Sequence, residues 1–350
     1  MDILNNQFIR YDNIRASVEV IAGDIETYGV NYGDILFQRS SETLEDVGQA
    51  NVYLDSKPAV FGGFVIRGKS KGNYHPMFFR YLLASPTARK RIIVKGAGAQ
   101  HFNIGQDGLS KVYLDIPSIQ EQEKIAKLLE CIDDRIATQN KIIEDLKKLK
   151  SAISQHLFSQ EPNVWNRLDN LFVKGKAGGT PISTNKEYYN GNIPFLSIND
   201  ITRQGKYIWL TEKHISLNGL ENSSAWIVPK HSLIMSMYAS VGLVTINQVP
   251  IATSQAMFSM LLRDKSLLDY LYYYLSYFKY RHIHKYLETG TQSNINADIV
   301  SGIMIPDYGY RHNMQIASML QSIDMKIDNE SSILERYSQQ KNDLLSSLFI

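Results

Sequence analysis

The sequence predicts an α+β protein in which two globular regions stand in tandem and each is followed by a long α-helix. Two observations carry this prediction. The chain matches itself at offsets of 187 to 198 residues, and two segments show the alternating apolar spacing of four and three that is typical of a coiled coil. We expect the two helices to pair with each other as an antiparallel coiled coil.

The internal repeat sets the expected domain boundaries. The stretch "KIAKLLECIDDRI" from Lys124 matches "QIASMLQSIDMKI" from Gln315, and "FIRYDNI" from Phe8 matches "FLSINDI" from Phe195. The offsets differ slightly, as loop insertions would make them differ. The predicted order is a first globular region at 1–117, a helix at 118–160, a second globular region at 161–308 and a helix at 309–350.

The first globular region is N-terminally incomplete relative to the second. The segment 164–194 precedes "FLSINDI", whereas only seven residues precede "FIRYDNI". The first region is therefore expected to lack an opening strand and the polar loop "GGTP" that the second region contains.

Composition and charge exclude several classes of protein. The 350 residues carry a formal net charge of +2, so any surface for nucleic acid must be a local one. The single cysteine, Cys131, excludes a disulfide framework and a cysteine-rich zinc site. The chain begins without a signal-peptide pattern and contains no apolar run of membrane-spanning length, which predicts a cytoplasmic protein.

The one catalytic signature in the sequence is misleading. The stretch "GGFVIRGKS" fits the phosphate-binding pattern G-x-x-x-x-G-K-S from Gly63 to Ser70. Its middle residues include Phe64, Val65 and Ile66, which favour a strand, and turn-forming residues follow Lys69. The matching stretch "SMLLRDKS", aligned at an offset of 196, lacks both glycines. We therefore expect a core strand and a turn, and the sequence predicts neither catalytic residues nor a metal site.

Both long helices carry a seam with two polar positions. In the first helix Gln139 and Lys150 interrupt the apolar positions, and Glu330 and Lys341 do so in the second. Ser118 and Glu121 form a capping-box pattern where the first helix begins. The seam residues are, in the first helix, Ile125, Leu129, Ile132, Ile136, Ile143, Leu146, Ile153 and Leu157, and in the second, Ile316, Leu320, Ile323, Ile327, Leu334, Tyr337, Leu344 and Leu348.

The polar seam positions predict the direction and register of the pairing. A parallel pairing of equivalent positions would place Lys150 beside Lys341, and two buried like charges are costly. An antiparallel pairing that aligns both polar layers avoids this contact. It predicts that Lys150 lies near Glu330, Gln139 near Lys341, Ile132 opposite Leu348 and Leu157 opposite Ile323.

Each globular region contains an aromatic helix that ends in a cluster of basic residues. Cations near a helix C-terminus stabilise the helix dipole, and they also bind phosphates. The sequence leaves both explanations open, and we take these residues as candidate phosphate contacts. They are Arg89, Lys90, Arg91 and Lys95 in the first region, and Arg281, His282 and Lys285 in the second.

Polar segments accompany the two basic clusters. Side chains of Gln, Asn, Arg, Ser and Thr form the hydrogen bonds that distinguish base edges, although ordinary surface loops contain them too. The candidate DNA-binding residues in these segments are Gln38, Arg39, Ser40, Lys174, Lys176, Thr180, Asn185, Lys186, Tyr238, Ser240, Gln292 and Asn294.

These features together resemble the specificity subunit of a type I restriction–modification system. The resemblance covers nearly the whole chain and depends on "GGTP" with "YYNGNIPFLSINDI", on "IPSIQEQEKIAKLLECIDDRI", and on the tandem order of region, helix, region, helix. It implies that the globular regions are target-recognition domains, each for one half of a bipartite DNA site. It also implies that the helices form a spacer and dock the modification subunits.

The resemblance assigns all catalysis to other subunits. The implied partners are double-stranded DNA, two methyltransferase (modification) subunits, and restriction translocase subunits. S-adenosylmethionine, and for restriction ATP and Mg²⁺, would be bound by those partners, and this chain would bind no cofactor. The alternative is a non-catalytic coiled-coil scaffold that joins two protein-binding domains.

Overall fold

The computed structural model describes residues 2–21, 23–98, 100–286 and 294–349. The chain divides into two compact units, and each is described by itself. Unit 1 consists of Met1–Ile143 with Glu330–Ile350, and unit 2 consists of Glu144–Asn329. Each unit contains one globular region together with a part of each long helix.

Unit 1 is built from short strands and helices that precede the first long helix. Its helices are α1 Asp2–Asn5, α2 Asp24–Tyr28, α3 Pro76–Ala84, α4 Pro86–Ile93, α5 Gln106–Leu109 and the first part of α6 Ile119–Phe158. Its strands are β1 Gly29–Val30, β2 Ile35–Gln38, β3 Ser40–Ser41, β4 Ala50–Val52, β5 Ala59–Val60, β6 Val65–Gly68 and β7 Phe102–Asn103.

Unit 2 has longer strands and a larger sheet. Its strands are β8 Val164–Arg167, β9 Phe172–Ala177, β10 Tyr189–Leu196, β11 Tyr207–Ile208, β12 Lys213–Ile215, β13 Ile227–Val228, β14 Leu233–Ser236, β15 Val244–Asn247, β16 Ile251–Thr253, β17 Met257–Leu262 and β18 Met304–Asp307. Its helices are α7 Ile198–Gln204, α8 Leu217–Glu221, α9 Leu268–Arg281, α10 Ala297–Ser301 and part of α11 Tyr310–Ser347.

The strand pairings confirm the internal repeat. In unit 1 the central sheet has the order β4-β2-β6, and in unit 2 the order is β11-β15-β14-β17-β9. The antiparallel pairs β2–β4 and β2–β6 correspond to β14–β15 and β14–β17, and β1–β5 corresponds to β13–β16. Both units therefore contain the same three-stranded centre, and unit 2 adds a strand at each edge.

The segment with the phosphate-loop pattern is a strand, as predicted. Val65–Gly68 forms β6 and pairs along its length with β2, and the next helix begins only at Pro76. The sequence alignment of this strand with its repeat, however, was wrong by four residues. The ladders place Arg67 opposite Leu36 and Ser259 opposite Ile234, so Arg67 corresponds to Ser259 and not to Arg263. A short apolar strand allows such a slip, because neighbouring residues have similar character.

The long helices begin and end close to the predicted residues. The Oγ atom of Ser118 accepts a hydrogen bond of 3.4 Å from the Glu121 backbone amide, which is one half of the predicted capping box. In unit 1, Asp133 pairs with Lys341 and Gln139 with Glu330. In unit 2, Lys150 pairs with Asp324, while Phe158 shares a core cluster with Ile316. Residue numbers rise along one helix as they fall along the other, so the antiparallel pairing is confirmed.

The predicted register of the helix pair is wrong. Gln139 donates to the backbone oxygen of Glu330 at 3.1 Å and to its carboxylate, and it does not meet Lys341. Lys150 meets Asp324 instead of Glu330. Lys150 and Lys341 therefore do not pair with the polar seam residues of the opposite helix that the sequence predicted for them.

The register differs from the prediction because each seam lysine pairs with a residue outside the seam. Each lysine finds an aspartate on the flank of the opposite helix, Asp133 or Asp324, next to the seam positions Ile132 and Ile323. A pairing rule that considers only seam positions cannot find these partners. The pairing of Ile132 with Leu348 is also not formed as predicted, because Leu348 is 37 % exposed and the neighbouring Phe349 packs against Phe78.

A tyrosine completes each of these ion pairs. In unit 1 the hydroxyl of Tyr81 on α3 donates to Asp133 at 2.7 Å. In unit 2 the hydroxyl of Tyr273 on α9 donates to Asp324 at 2.8 Å. Burial is the main cause that raises the pKa of both tyrosines, so both hydroxyls stay protonated donors at neutral pH. The repeat thus attaches the aromatic helix of each unit to its helix pair by the same three groups.

Candidate nucleic-acid interface

Four polar segments of unit 2 meet where four neighbouring strands of its five-stranded sheet begin or end. This end of the sheet is called its loop edge below. The strands β15, β14, β17 and β9 are antiparallel neighbours, so the start of one lies beside the end of the next. The strand ends that meet at the loop edge are Val244 of β15, Ser236 of β14, Met257 of β17 and Ala177 of β9. Three backbone hydrogen bonds connect the loops there. They join Gly179 N to Thr253 O at 2.9 Å, Met237 N to Ala256 O at 2.7 Å, and Ile295 N to Met237 O at 3.1 Å.

Two glycines hold the "GGTP" loop tightly against this edge. A Cβ atom at Gly178 would lie 1.9 Å from the backbone oxygen of Thr253, and one at Gly179 would lie 2.3 Å from the Ser224 hydroxyl oxygen. Only glycine permits this approach. The loop thereby places the Thr180 hydroxyl as a hydrogen-bond donor to the side-chain oxygen of Gln255, and both residues are exposed.

The turn between β14 and β15 presents Tyr238 and Ser240 at the same edge. Ala239 and Ser240 adopt positive φ angles of 39° and 52°, which non-glycine residues rarely do. The Ser236 hydroxyl donates to Ser240 O at 2.8 Å and accepts from Leu243 N at 2.8 Å, so it holds the turn in this conformation. Strained backbone of this kind is concentrated at binding sites.

The end of α9 packs against this turn and carries the basic residues of unit 2. A Cβ atom at Gly242 would meet the Cγ atom of Lys279 at 3.1 Å. Arg281 donates to the Gln155 side chain on α6, so its guanidinium group lies beside the long helix. Burial, and then the charges of Lys285, His284 and Arg281, lower the pKa of His282. His282 is therefore uncharged at neutral pH and does not add to the positive cluster.

The remaining candidates of unit 2 are more scattered. Asn294 is half-buried and immediately precedes Ile295, which bonds to the turn at Met237. Gln292 lies outside the described residues. The ammonium group of Lys174 lies 4.2 Å from the centre of the Trp226 ring, and Lys176 pairs with Ser259 along the ladder. Asn185 caps a 3-10 turn that begins at Lys186, which is exposed.

Unit 1 has a corresponding edge at the end of β2. Ile104 N donates to Arg39 O at 2.9 Å, as Ile295 N does to Met237 O in unit 2. Ser40 lies opposite Asn103, and their side chains form a hydrogen bond. The side-chain amide nitrogen of Gln38 donates to the Ser40 backbone oxygen at 2.9 Å. Gln38, Arg39 and Ser40 therefore lie where β2 ends, next to the segment that contains Asn103.

Two of the four basic candidates in unit 1 are engaged in the fold. Arg89 donates to the backbone oxygens of Glu45 at 2.6 Å and Val47 at 2.8 Å, and burial lowers its pKa. Arg91 donates to Tyr113 O at 2.7 Å. Lys90 and Lys95 are exposed. Arg89 and Arg91 thus hold loops of unit 1 in place, whereas the two lysines remain accessible for phosphates.

Sequence reasoning missed two polar residues at these edges. Gln255 follows β16 in a stretch of mostly apolar residues, and nothing in its local sequence marks it as exposed. Asn103 could have been found, because the repeat aligns "FNI" with "SNI" and so places Asn103 on the candidate Asn294. Their partners became visible only in the fold.

The described residues contain no group of three or more His, Cys, Asp and Glu side chains that could hold a metal ion. No helix in the same residues is long and apolar enough to cross a membrane.

Comparisons with known proteins agree with this arrangement. The family described as the type I restriction modification DNA specificity domain matches residues 1–148 and again 162–336. A specificity subunit assigned to the type I restriction enzyme MjaX of Methanocaldococcus jannaschii is 26 % identical over 357 aligned positions, which cover 93 % of this chain and 79 % of that protein.

Solved structures show the same fold at low sequence identity. A type I restriction–modification S subunit from M. genitalium has a TM-score of 0.55 and 15 % identity, over 93 % of this chain and 85 % of that one. A chain from a structure of the type I R-M system has a TM-score of 0.60 and 15 % identity, over 91 % of this chain and 81 % of that one. The chain therefore belongs to the type I restriction–modification DNA specificity family, and it is a non-catalytic specificity subunit with two specificity domains in tandem.

Proposed function

We propose that each unit reads one half of a bipartite DNA site with the loops at the end of its central sheet. The observation that carries this proposal is the convergence of four polar segments at one sheet edge of unit 2. Antiparallel strands bring loops together that are distant in the sequence, and such loops on a rigid sheet are suited to binding.

The chemistry of the edge is appropriate for base recognition. Thr180 and Gln255 in unit 2, and Ser40 and Asn103 in unit 1, offer hydroxyl and amide groups that pair with base edges in the major groove. Exposed Lys90, Lys95 and Lys285 would contact phosphates, which orient the protein but carry no sequence information.

The partners follow from the family. The chain would assemble on DNA with methyltransferase subunits and with restriction translocase subunits, and the repeat favours two methyltransferase subunits, one for each copy. S-adenosylmethionine, and ATP with Mg²⁺ for restriction, would be bound by those partners. The complex would act in the cytoplasm, where its DNA is.

Methylome sequencing tests the proposal directly. Cells would express this chain with its cognate methyltransferase subunits, and the methylated motif would be compared among variants. We expect Thr180→Ala with Gln255→Ala to relax one half of the motif only, and Ser40→Ala with Asn103→Ala to relax the other half only. Removal of a side chain that reads a base costs about 1–3 kcal/mol of discrimination.

The control variant is Thr202→Ala. Thr202 is exposed on α7, and its hydroxyl donates to the Ile198 backbone oxygen of the same helix. It should leave the motif unchanged. A motif that stays intact in both double variants, or that changes in both halves at once, would contradict the assignment.

A further inference from the structure

In both units, the strand at the centre of the sheet ends in a residue whose side chain bonds to the connection that follows. In unit 2 this residue is Ser236 at the end of β14, and in unit 1 it is Gln38 at the end of β2. The ladders make the two positions equivalent, because Ser236 pairs with Met257 of β17 and Gln38 pairs with Val65 of β6.

The backbone closes both connections in the same way. Each central strand ends with two hydrogen bonds to the returning strand. They join, in unit 2, Gly242 N to Ser236 O at 2.9 Å and Ser236 N to Leu243 O at 2.8 Å, and in unit 1, Gly48 N to Gln38 O at 2.9 Å and Gln38 N to Gln49 O at 2.8 Å. The enclosed connections are residues 237–241 in unit 2 and residues 39–47 in unit 1. One backbone frame therefore carries two connections of different length and sequence.

In unit 2 the Ser236 hydroxyl clamps the connection from two sides. It donates to Ser240 O and accepts from Leu243 N, both at 2.8 Å, and Ser236 is fully buried. The clamped carbonyl belongs to the second of two consecutive residues, Ala239 and Ser240, that have positive φ angles. Non-glycine residues keep such angles only where the surrounding structure over-determines them. The clamp is one of the contacts that impose this shape.

In unit 1 the Gln38 side chain forms one half of the same clamp. Its amide nitrogen donates to Ser40 O at 2.9 Å. Its amide oxygen is buried, and none of the described residues donates a hydrogen bond to it. The backbone amide of Gln49, which could do so by analogy with unit 2, donates to Asp46 O at 3.2 Å instead. A serine and a glutamine thus serve the same purpose at one position, and the clamp is complete only in unit 2.

The clamps lie beneath residues that are accessible to DNA. Tyr238 and Ser240 are exposed in the connection of unit 2, and Arg39 is exposed in that of unit 1. A connection whose shape is fixed before binding loses less conformational entropy when DNA binds. It also holds its exposed groups at defined positions, which selectivity among bases requires.

We propose that Ser236 and Gln38 are positioning residues for DNA recognition, which fix the shapes of the two connections and thereby set how strictly each half-site is read. This role rests on the proposed function, whereas the clamp itself does not. Because the clamp has two sides in unit 2 and one in unit 1, its removal should have the larger effect in unit 2.

The test compares three variants of the full chain. Ser236→Ala removes the clamping hydroxyl. Its matched control is Thr245→Val, which removes another fully buried hydroxyl of the same β14–β15 hairpin, one that donates to Gly205 O and Lys206 O. Both should lower the urea midpoint. Gln38→Met keeps the side-chain length and removes the donor together with the unpartnered acceptor, so it should change the urea midpoint little.

Two measurements are made on each variant. Hydrogen exchange of the chain without DNA reports the clamp, and the amide of Leu243 should exchange faster in Ser236→Ala but not in Thr245→Val. Methylation by the complex with the cognate methyltransferase subunits reports recognition, as the ratio of rates on the intact site and on sites with one altered base pair. We expect about fivefold less discrimination at one half-site in Ser236→Ala, a smaller loss at the other half-site in Gln38→Met, and no loss in Thr245→Val.

Three results would overturn this role. Unchanged exchange at Leu243 in Ser236→Ala would remove the clamp, whether or not the chain reads DNA. Faster exchange with full discrimination would show that the connection does not need its fixed shape for recognition. Equal losses of discrimination in Ser236→Ala and Thr245→Val would attribute the effect to general destabilisation.

The double variant Thr180→Ala with Gln255→Ala separates these results from a failure of the proposed function. It changes two exposed side chains of the loop edge and leaves the clamp intact. If it relaxes one half-site while Ser236→Ala does not, the positioning role alone is wrong. If neither variant changes the motif, recognition by the loop edge is wrong as well.

Discussion

Unit 1 and unit 2 share one sheet centre but differ in what surrounds it. The central ladders have the same pairings, whereas unit 2 adds β11 and β9 at the two edges of its sheet. Unit 2 has one extensive core cluster that includes α9 and parts of both long helices, with two smaller clusters besides, while the apolar residues of unit 1 form three clusters that are all smaller than this extensive one. The comparison shows that the two units share a three-stranded centre and an aromatic helix, and that the edge strands of unit 2 accompany a more fully buried sheet.

The two units also share the three groups that attach the fold to the helices, but they bury them differently. The Asp133 carboxylate of unit 1 is 6 % exposed and that of Asp324 in unit 2 is 25 % exposed. The smaller unit therefore depends more strongly on its ion pair. The largest loss of stability that we expect from a single substitution is therefore at Asp133.

Asp133→Ala should destabilise the protein more than Asp324→Ala. Removing the buried carboxylate leaves Lys341 and the Tyr81 hydroxyl without their shared partner, which costs about 3 kcal/mol or more. The more exposed pair of Asp324 with Lys150 should cost about 1 kcal/mol. Urea denaturation of the two variants gives the difference. Equal decreases in stability would mean that the two attachments are energetically the same.

Gly178→Ala should disrupt unit 2 where the Gly-Gly-Thr-Pro loop lies closest to the neighbouring backbone. The new Cβ atom would lie 1.9 Å from a backbone oxygen, so the loop must move, at a cost of about 1–3 kcal/mol. We expect a lower urea midpoint and weaker methylation that depends on the second half-site. Gly63→Ala is the control, because nothing lies within 4 Å of its Cβ position. Equal stability of both variants would show that the loop is not held as described.

Charge changes should affect the two units in different ways. Arg281→Gln with Lys285→Gln should weaken DNA binding similarly for all sequences, and the salt slope should fall by about 0.9 for each phosphate that the variant no longer neutralises. Arg281 is exposed and can exchange Gln155 for a phosphate. Arg89→Gln in unit 1 should instead lower stability, because Arg89 holds two backbone oxygens.

Binding titrations at several salt concentrations measure the charge effects. A changed sequence preference at unchanged affinity would place Arg281 or Lys285 on base edges. An unchanged urea midpoint for Arg89→Gln would show that its hydrogen bonds contribute little to stability.

The smallest effect should come from the segment that resembles a nucleotide loop. Lys69→Ala should leave methylation and restriction by the assembled complex nearly unchanged, because Lys69 follows a paired strand and is exposed. Activity assays with and without ATP provide the measurement. A selective loss of the ATP-dependent reaction would show that this segment takes part in nucleotide use.

Local patterns predicted the parts of this protein that depend on local physics. The bounds of α6 and α11 follow from apolar spacing and from a capping residue at Ser118, and these act within a few residues along the chain. The repeat predicted the tandem arrangement, because homologous segments form the same pairings.

Contacts between distant residues were decided only in three dimensions. Side-chain spacing along a helix marks its apolar face, but the partner across that face depends on which charges come within reach, as Asp133 for Lys341 and Asp324 for Lys150 show. Likewise, Thr180 meets Gln255 because strands pair across long sequence distances. The guanidinium of Arg89 proved structural because loop carbonyls surround it, and no local pattern encodes that surrounding.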